Sequence, residues 1–345
     1  MSIVSMIAID LAKSVFHLHG VDGDGGEVFR RRLRRAQLHR FMAVQPRCLV
    51  AMEACAGAHE WARQFTAMGH EVRLIPPVYV KPFVRRQKND ANDAAAIAEA
   101  ARRPAMRFVA VKSVEAQATR TLHRVREQLI RQRTAGLNAL RSHLAEFGVI
   151  APRGAGFCHR LAVRVLRRDF EGVPEQLYTA LAPLARTLVQ QDAEISELDR
   201  EIHALARTDP VAQRLMTIPG IGPVTASALV ATLGDARAFR SGRELAAFLG
   251  LVPRQHSSGG VVRLRQVSKM GDAYLRRLLT LGARAVLAHA GRSAKRGGRR
   301  AQWVRDLKRT KPFAVAASAL ANKMARIVFA LLRGNDVYRD HPHTA

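Results

Sequence analysis

The first third of the chain alternates short apolar runs with amphipathic stretches. Three consecutive runs, SIVSMIAIDL, SVFHLHGVD and GGEVFRRRLRR, predict strands, with the second as hairpin partner of the first. Further on, CLVAMEA and HEVRLIPP predict strands, whereas AQLHRFMAVQ, HEWARQFTAMG and the segment from Asp90 predict helices. Three strands followed by alternating helices and strands predict an α/β domain with a mixed sheet over residues 1–111.

From about Ser113 the apolar residues recur at helical spacing, which predicts a helical connector over residues 112–207 and a mainly helical domain over residues 208–345. In the connector a heptad pattern typical of a coiled coil has one polar seam position, a common device for fixing register. A long helix packed within its own chain gives the same pattern, so self-association stays open. The seam residues are Leu177, Leu181, Leu184, Leu188, Gln191, Ile195, Leu198, Ile202 and Leu205.

The last third opens with LMTIPGIGPVTASALVATLGD, which has the form of a helix-hairpin-helix unit. Its turn glycines, Gly220 and Gly222, would let backbone N–H groups at a helix N-terminus approach a phosphate. The same letters also suit a simple tight turn between two helices, and the spacing does not separate the two interpretations.

Composition points to a polyanionic partner. The 345 residues include 56 Lys and Arg against 28 Asp and Glu, a formal net charge of +28. Such a chain gains affinity for nucleic acid by releasing phosphate counterions. A membrane surface is the rival partner, but the apolar run at residues 313–332 carries Lys323 and Arg326, which suits the helix of a non-membrane protein. The N-terminus lacks the pattern of a signal peptide.

The cysteines add no metal or disulfide signal. Cys48, Cys55 and Cys158 form no C-x-x-C pair and leave an odd count, so neither a zinc site nor a disulfide framework is indicated. A reducing cytoplasm is therefore the expected location.

Four carboxylates are candidates for chemistry. In QKNDANDAAAIA, Asp90 and Asp93 can cap a helix as N-cap and N3, or they can share a helix face and hold a divalent metal. Asp10 and Glu53 each follow an apolar strand, where a solvent-facing strand end is the ordinary explanation. Together the acids suit metal-assisted phosphoryl transfer near a sheet edge, with Mg²⁺ or Mn²⁺ as cofactor.

A second chemical stretch is PRQHSSGGVVRL at residues 253–264. Ser257 or Ser258 could attack a phosphodiester, since the glycines allow close backbone approach; the same letters also suit an ordinary hairpin turn. We expect three groups of cations to contact nucleic acid together with the turn glycines. They lie near the acids, in or beside this stretch, and in the basic segment 292–311, which also holds Trp303. These cations are Arg85, Arg86, Lys88, Arg254, Arg263, Arg265, Lys269, Arg299 and Arg300.

Six colinear motifs resemble a known family. IAIDLAKSVFHLHGVD, MEACAGAHEWAR, KNDANDAAAIAEA, IPGIGPVTASAL, FLGLVPRQHSSGG and VSKMGDAYLRRLLTLGARAVL resemble, in order, the D-E-D-D transposases of bacterial insertion sequences, within them the IS-one-ten family and its IS-eleven-eleven subgroup. The resemblance covers nearly the whole chain. It implies a RuvC-like, RNase H-type domain, a coiled-coil connector and a C-terminal transposase domain.

The resemblance also implies roles for particular residues. Asp10, Glu53, Asp90 and Asp93 become metal ligands, and Ser258 becomes the nucleophile, with Ser257 as the alternative alignment. It implies cutting and rejoining of element and target DNA, guided by an element-encoded RNA. A homo-oligomer, dimer or tetramer, would bring the acids of one subunit to the serine of another.

Two other functions stay open at this point. A RuvC-like junction nuclease would hydrolyse with water and need no serine. A non-catalytic DNA- or RNA-binding protein would need only the charge and the helical hairpin.

Overall fold

The structure is a computed structural model. It describes residues 3–84, 90–152, 154–234, 236–290, 299–334 and 336–340, without the side chains at positions 90, 91, 155 and 299. It is mixed α/β, with thirteen α-helices among the described residues. The chain divides into two compact units, Met1–Ser113 and Val114–Ala345. The division into three parts that the sequence predicts stays a prediction.

The first unit is a five-stranded sheet with helices on both faces. The strand order is β3-β2-β1-β4-β5; β1, β2 and β3 are antiparallel, while β1, β4 and β5 run parallel. The elements are β1 Met6–Asp10, β2 Val15–Val21, β3 Glu27–Arg34, α1 Arg35–Ala43, β4 Leu49–Glu53, α2 Ala58–Ala67, β5 Glu71–Ile75, α3 Pro77–Val80, a 3-10 turn Lys81–Phe83, and α4 Asp90–Ala101.

Each predicted strand and helix of this unit is present, and the mixed sheet is confirmed. The short α3 and the 3-10 turn after the prolines were not predicted. Helix α4 begins at Asp90, so Asp90 is a helical residue rather than the N-cap that the capping interpretation assigns to it.

Strand alternation divides the core of the first unit into two layers. Ile7 and Ile9 of β1 face the layer with α1 and α2, whereas Met6 and Ala8 face the layer with α4. Successive side chains in a strand point to opposite faces of the sheet, so every second residue of β1 and β4 is directed towards α4.

The second unit is mainly helical. Its elements are α5 Val114–Ala145, a 3-10 turn Ala155–Phe157, α6 Cys158–Leu166, α7 Glu175–Thr208, α8 Pro210–Met216, α9 Pro223–Leu233, a 3-10 turn Ala236–Ala238, α10 Gly242–Phe248, β6 Pro253–Gln255, β7 Leu264–Val267, α11 Ala273–His289, α12 Arg299–Thr310 and α13 Phe313–Arg333.

Helices α5 and α7 pack against each other within the chain. Two ion pairs tie them, Arg126 to Asp199 and Arg133 to Asp192, each with an N–O distance of 2.5 Å. Of the heptad seam, Leu181, Leu188, Ile195 and Ile202 are buried, while the alternate seam positions are half-buried. The in-chain contact accounts for the fully buried positions, and coiled-coil self-association stays a prediction.

The remaining helices form a second core around α11 and α13. Helix α13 is long and apolar enough to cross a membrane by length and composition. Eight of its apolar residues are buried against the same unit, which accounts for part of that composition: Ala316, Ala317, Leu320, Ala321, Met324, Ala325, Val328 and Leu331.

Candidate active site

Asp10 and Glu53 end two neighbouring parallel strands. Asp10 is the last residue of β1 and Glu53 the last of β4. Ile9 pairs with Met52, so one further step along both strands sets Asp10 beside Glu53. Alternation directs both side chains to the α4 face, because Ala8 and Ala51, two residues earlier in each strand, lie in the α4 layer.

Helix α4 brings a third carboxylate to the same place. Its alanine-rich face packs on β1, β2 and β4, and Asp93 lies half-buried in its first turn. Burial raises the pKa of Glu53, and the negative charge of Asp93 raises it further. A carboxylate from the sheet and one from the helix are thus close enough to repel each other.

Cys55 lies beside the same carboxylates. Its thiol pKa is raised by burial, then by the charges of Glu53 and Asp10. Its backbone N–H donates to the Glu53 carbonyl at 2.8 Å, so the chain turns back immediately after β4. Sequence reasoning did not single out this residue; its position two residues after Glu53 was the available signal.

The donor chemistry of this edge suits a hard divalent cation. Carboxylate oxygens are the ligands that Mg²⁺ prefers, and a cation would offset the repulsion between Glu53 and Asp93. Among the described side chains, no group of three or more His, Cys, Asp and Glu is arranged closely enough to hold a metal ion. The side chain of Asp90 lies outside the described part of the chain.

The two candidate serines lie on an exposed hairpin of the second unit, formed by β6 and β7. Ser258 and Val261 form an isolated bridge, and the N–H of Val261 donates to the Ser258 carbonyl at 3.1 Å. Gly259 and Gly260 between them have φ of +57° and +77°. Positive φ at both central positions is typical of a type I′ turn, which explains why the turn needs two glycines.

The two serine hydroxyls have different surroundings. The Ser257 hydroxyl accepts hydrogen bonds from the Gln255 side chain at 2.9 Å and from the Arg263 N–H at 3.3 Å, across the hairpin. Ser258 begins the turn and is exposed. The geometry therefore gives Ser257 a structural contact and leaves Ser258 at the accessible tip.

The predicted nucleic-acid contacts have different positions. Arg85, Arg86 and Lys88 lie outside the described residues, as does the side chain of Arg299. Arg263, Arg265 and Lys269 are exposed on or beside the hairpin. Arg254 is exposed as well, but its guanidinium donates twice to the Ser268 carbonyl at 3.2 Å.

Arg300 is buried, with 6% of its surface exposed. Its guanidinium donates to the Pro219 carbonyl at 3.3 Å and lies over the Tyr338 ring. This arginine braces the turn between α8 and α9, and we do not include it among the surface contacts to phosphate.

The turn glycines also differ from each other. Gly220 has φ of +91°, and a Cβ there would lie 2.8 Å from the Gly282 carbonyl oxygen of α11. Close packing on α11 thus explains Gly220. Gly222 is exposed at the start of α9, where a Cβ would meet no atom within 4 Å. Its role in phosphate binding stays a prediction.

Comparison with known proteins identifies the class. A DEDD transposase model of the IS110 type matches residues 7–148, and a model described as "Transposase IS116/IS110/IS902 family" matches residues 212–298. Both regions are thus those of a transposase, an enzyme that recombines DNA.

Full-length relatives support the same class. A "Probable family 20 transposase" of Pseudomonas aeruginosa is 50% identical over 97% of this chain and 99% of its own length. The transposase of insertion sequence IS1328 from Yersinia enterocolitica is 43% identical over 97% and 98%. That of IS1111A from Coxiella burnetii is 40% identical over 97% and 92%. The chain belongs to the IS110 family of insertion-sequence transposases, as the sequence motifs predict.

Proposed function

We propose that this transposase cuts and rejoins DNA by metal-dependent phosphoryl transfer, with Asp10, Glu53, Asp90 and Asp93 as metal ligands and Ser258 as nucleophile. The observation that supports the proposal is that Asp10 and Glu53 end neighbouring strands at one edge of the sheet, while Asp93 lies close enough to Glu53 to add to the effect of burial in raising its pKa. Burial and the charge of Asp93 both disfavour the ionised form of Glu53, and a bound cation would offset that cost.

The sheet supports an RNase H-type fold for the first unit. Its first three strands are antiparallel, and β4 and β5 join parallel on the other side of β1. Parallel strands at the centre bring their carboxyl ends to one edge, where a helix packed across the sheet can add further ligands. The DEDD family match implies a divalent metal; Mg²⁺, or Mn²⁺ in its place, is our assignment.

The residues divide the chemistry between them. Bound ions would supply charge neutralisation for the phosphate and a leaving oxygen. The carboxylates hold those ions, and the hydroxyl oxygen of Ser258 forms a bond to phosphorus as the strand oxygen leaves. Because the bond energy is kept in a phosphoserine linkage, the reverse attack by another strand end can rejoin DNA without an external energy source.

Ser258 is preferred to Ser257 for a structural reason. The Ser257 hydroxyl is engaged across the hairpin, whereas Ser258 is at the exposed tip before Gly259. A nucleophilic hydroxyl must not be held by hydrogen bonds within its own loop if it is to reach the phosphate. The two turn glycines after Ser258 have no side chains that would block this approach.

The serine test measures covalent attachment to labelled element-end DNA in Mg²⁺ on a denaturing gel. Ser258→Ala should abolish the adduct, whereas Ser257→Ala should only reduce it. Loss of the adduct in both variants would leave the assignment to Ser258 unsupported. Cleavage that persists in Ser258→Ala without any adduct would favour a water-using junction nuclease.

Partners follow from the same family membership. DNA is the substrate class of a transposase. We propose that an element-encoded RNA guides the enzyme to its DNA. We also propose that subunits associate through α5 and α7 as a dimer or tetramer in the cytoplasm. Sequencing of the nucleic acid that co-purifies with the protein tests the guide. One short RNA encoded beside the gene is expected, and random fragments would count against it.

A further inference from the structure

A large groove lies in the second unit beside the serine hairpin. Its volume is about 1420 Å³, and its walls come from α13, from the start of α10 and from both strands of the β6–β7 hairpin. This volume exceeds the roughly 300–1,000 Å³ typical of small-molecule pockets. The size therefore favours a segment of polymer over a free metabolite.

Positive charge is concentrated along the groove. Arg243, Arg265, Lys323 and Arg326 line it, and none of its described lining residues is Asp or Glu. Burial lowers the pKa of Lys323, and the charges of Arg300 and Arg326 lower it further, against an opposing effect of Asp340. Cations crowded in this way are stabilised by an anionic occupant.

Most of the remaining lining is apolar, and its polar residues are Ser241, Gln266, Ser318 and Asn322. Val315 is half-exposed on α13, Ala319 lies one turn further along, and Trp303 is reached by the Lys323 ammonium at 4.1 Å from the ring centroid. Duplex DNA presents phosphates outward and keeps its bases stacked inside. A strand with unpaired bases presents both an anionic backbone and apolar base faces, which is what such a lining can hold.

The position of the groove indicates which strand. Pro253, Arg265 and Val267 of the hairpin form one wall, so a strand in the groove would continue towards Ser258 at the hairpin tip. We propose that this groove binds single-stranded DNA next to the cleavage point, with phosphates at Arg265 and Arg326 and bases against Val315 and Ala319. The inference rests on the proposed function for its choice of DNA.

The test compares short oligo(dT) with a hairpin duplex of equal charge, both fluorescently labelled, by anisotropy with the full-length protein. Ala319→Trp fills the groove without changing charge. We expect it to weaken oligo(dT) binding about tenfold and duplex binding less than about twofold, in line with the loss of base contacts. Equal effects on both ligands, or none on oligo(dT), would overturn the proposal.

A charge-removing pair gives an independent measurement. Arg265→Gln with Arg326→Gln should weaken oligo(dT) binding by about tenfold or more. The slope of log affinity against log salt concentration should become shallower by the amount expected for the loss of about two phosphate contacts. The matched control is Lys308→Gln with Arg309→Gln on α12, which removes the same charge from exposed positions outside the lining. An equal loss in the control would show a general effect of charge and contradict a specific groove.

Two further ligands test the chemical assignment. If oligo(U) binds more tightly and loses more affinity in Ala319→Trp, the occupant is RNA and the assignment to DNA fails. If a glutamate-rich peptide displaces labelled oligo(dT) at a concentration similar to that of unlabelled oligo(dT), the occupant is an acidic protein segment, and the assignment to DNA fails as well. Ser258→Ala should retain oligo(dT) binding, so failure of the serine mechanism remains distinguishable. Thermal melting of each variant verifies folding.

Discussion

Two polar clusters in this protein have opposite character. At the sheet edge of the first unit, Glu53 and Asp93 are half-buried carboxylates, and burial, followed by the charge of Asp93, raises the pKa of Glu53. In the second unit, buried His123 contacts the Tyr274 hydroxyl at 3.0 Å and the Ser227 hydroxyl at 3.1 Å. Without a ligand, the first cluster lowers the free energy of unfolding, whereas the second cluster raises it.

The difference teaches which kind of polar cluster indicates function. A network whose members satisfy one another specifies packing, as the joint between α5, α9 and α11 does. A cluster whose members repel one another is a candidate site for a ligand that offsets the repulsion. The metal site is therefore inferred from the sheet edge, although the histidine cluster is the more deeply buried of the two.

The largest expected effect is on activity at the sheet edge. Asp93→Asn should reduce strand cleavage by about a thousandfold or more, because it removes a ligand of the catalytic ions. Folding should be preserved, since the substitution removes a repelling charge. Cleavage of labelled element ends in Mg²⁺ measures the effect.

The control for that variant is Glu71→Gln. Glu71 begins β5 at the opposite end of the parallel strands and pairs with Arg73, so it tests a carboxylate of the same sheet away from the site. Activity in Asp93→Asn close to that of Glu71→Gln would contradict a metal role for Asp93.

The second effect is on stability in the other cluster. His123→Ala should lower the free energy of unfolding by about 2–4 kcal/mol, because it opens a cavity and removes the partner of the buried Ser227 hydroxyl. Urea unfolding measures it, and cleavage per folded molecule should change little. His289→Ala, an exposed histidine on α11, is the control. A loss of activity without a loss of stability would move His123 into the functional class.

A smaller effect is expected with pH. Burial lowers the pKa of His123 to about 4 from its ordinary 6.5. The unfolded chain therefore takes up a proton below pH 6.5 that the folded protein does not. Stability from this group is full above that pH and is lost as the pH falls towards 4, by at most about 1.4 kcal/mol per pH unit.

The measurement is urea unfolding of the wild type and His123→Gln at several pH values between 7 and 5. Glutamine can keep both hydrogen bonds but does not titrate, so the variant should show the shallower decline. Parallel pH curves for the two proteins would show that His123 does not contribute.

The strands and helices could be predicted because buried residues recur every second position in a strand and every three or four positions in a helix. The strand ends placed Asp10 and Glu53 for the same reason, since parallel neighbours share an edge. The contacts of Ser257 and the burial of Arg300 could not be predicted. Each depends on a partner brought near by the fold, such as Pro219, which lies 81 residues from Arg300.

The groove escaped prediction as well. Its cations come from α10, β7 and α13, and no spacing along the chain connects Arg243 with Arg326. The basic segment 292–311 is predicted to contact nucleic acid from its charge density, yet Arg300 within it is buried, while the cations of the groove come from three separate elements. Charge density in sequence is thus a poor guide to where charge collects in space.

The smallest effect distinguishes the two clusters most directly. Glu53 has a raised pKa, so its protonated form favours the folded state below the ordinary value of 4.5, and this stability is lost as the pH rises through the raised pKa. At neutral pH without metal, Glu53→Gln should therefore unfold at a slightly higher temperature than the wild type. Added Mg²⁺ should raise the melting temperature of the wild type but not of the variant, because a ligand that binds only the folded state stabilises it. A variant that melts lower without metal, or that gains as much from Mg²⁺ as the wild type, would show that Glu53 is a structural residue like His123.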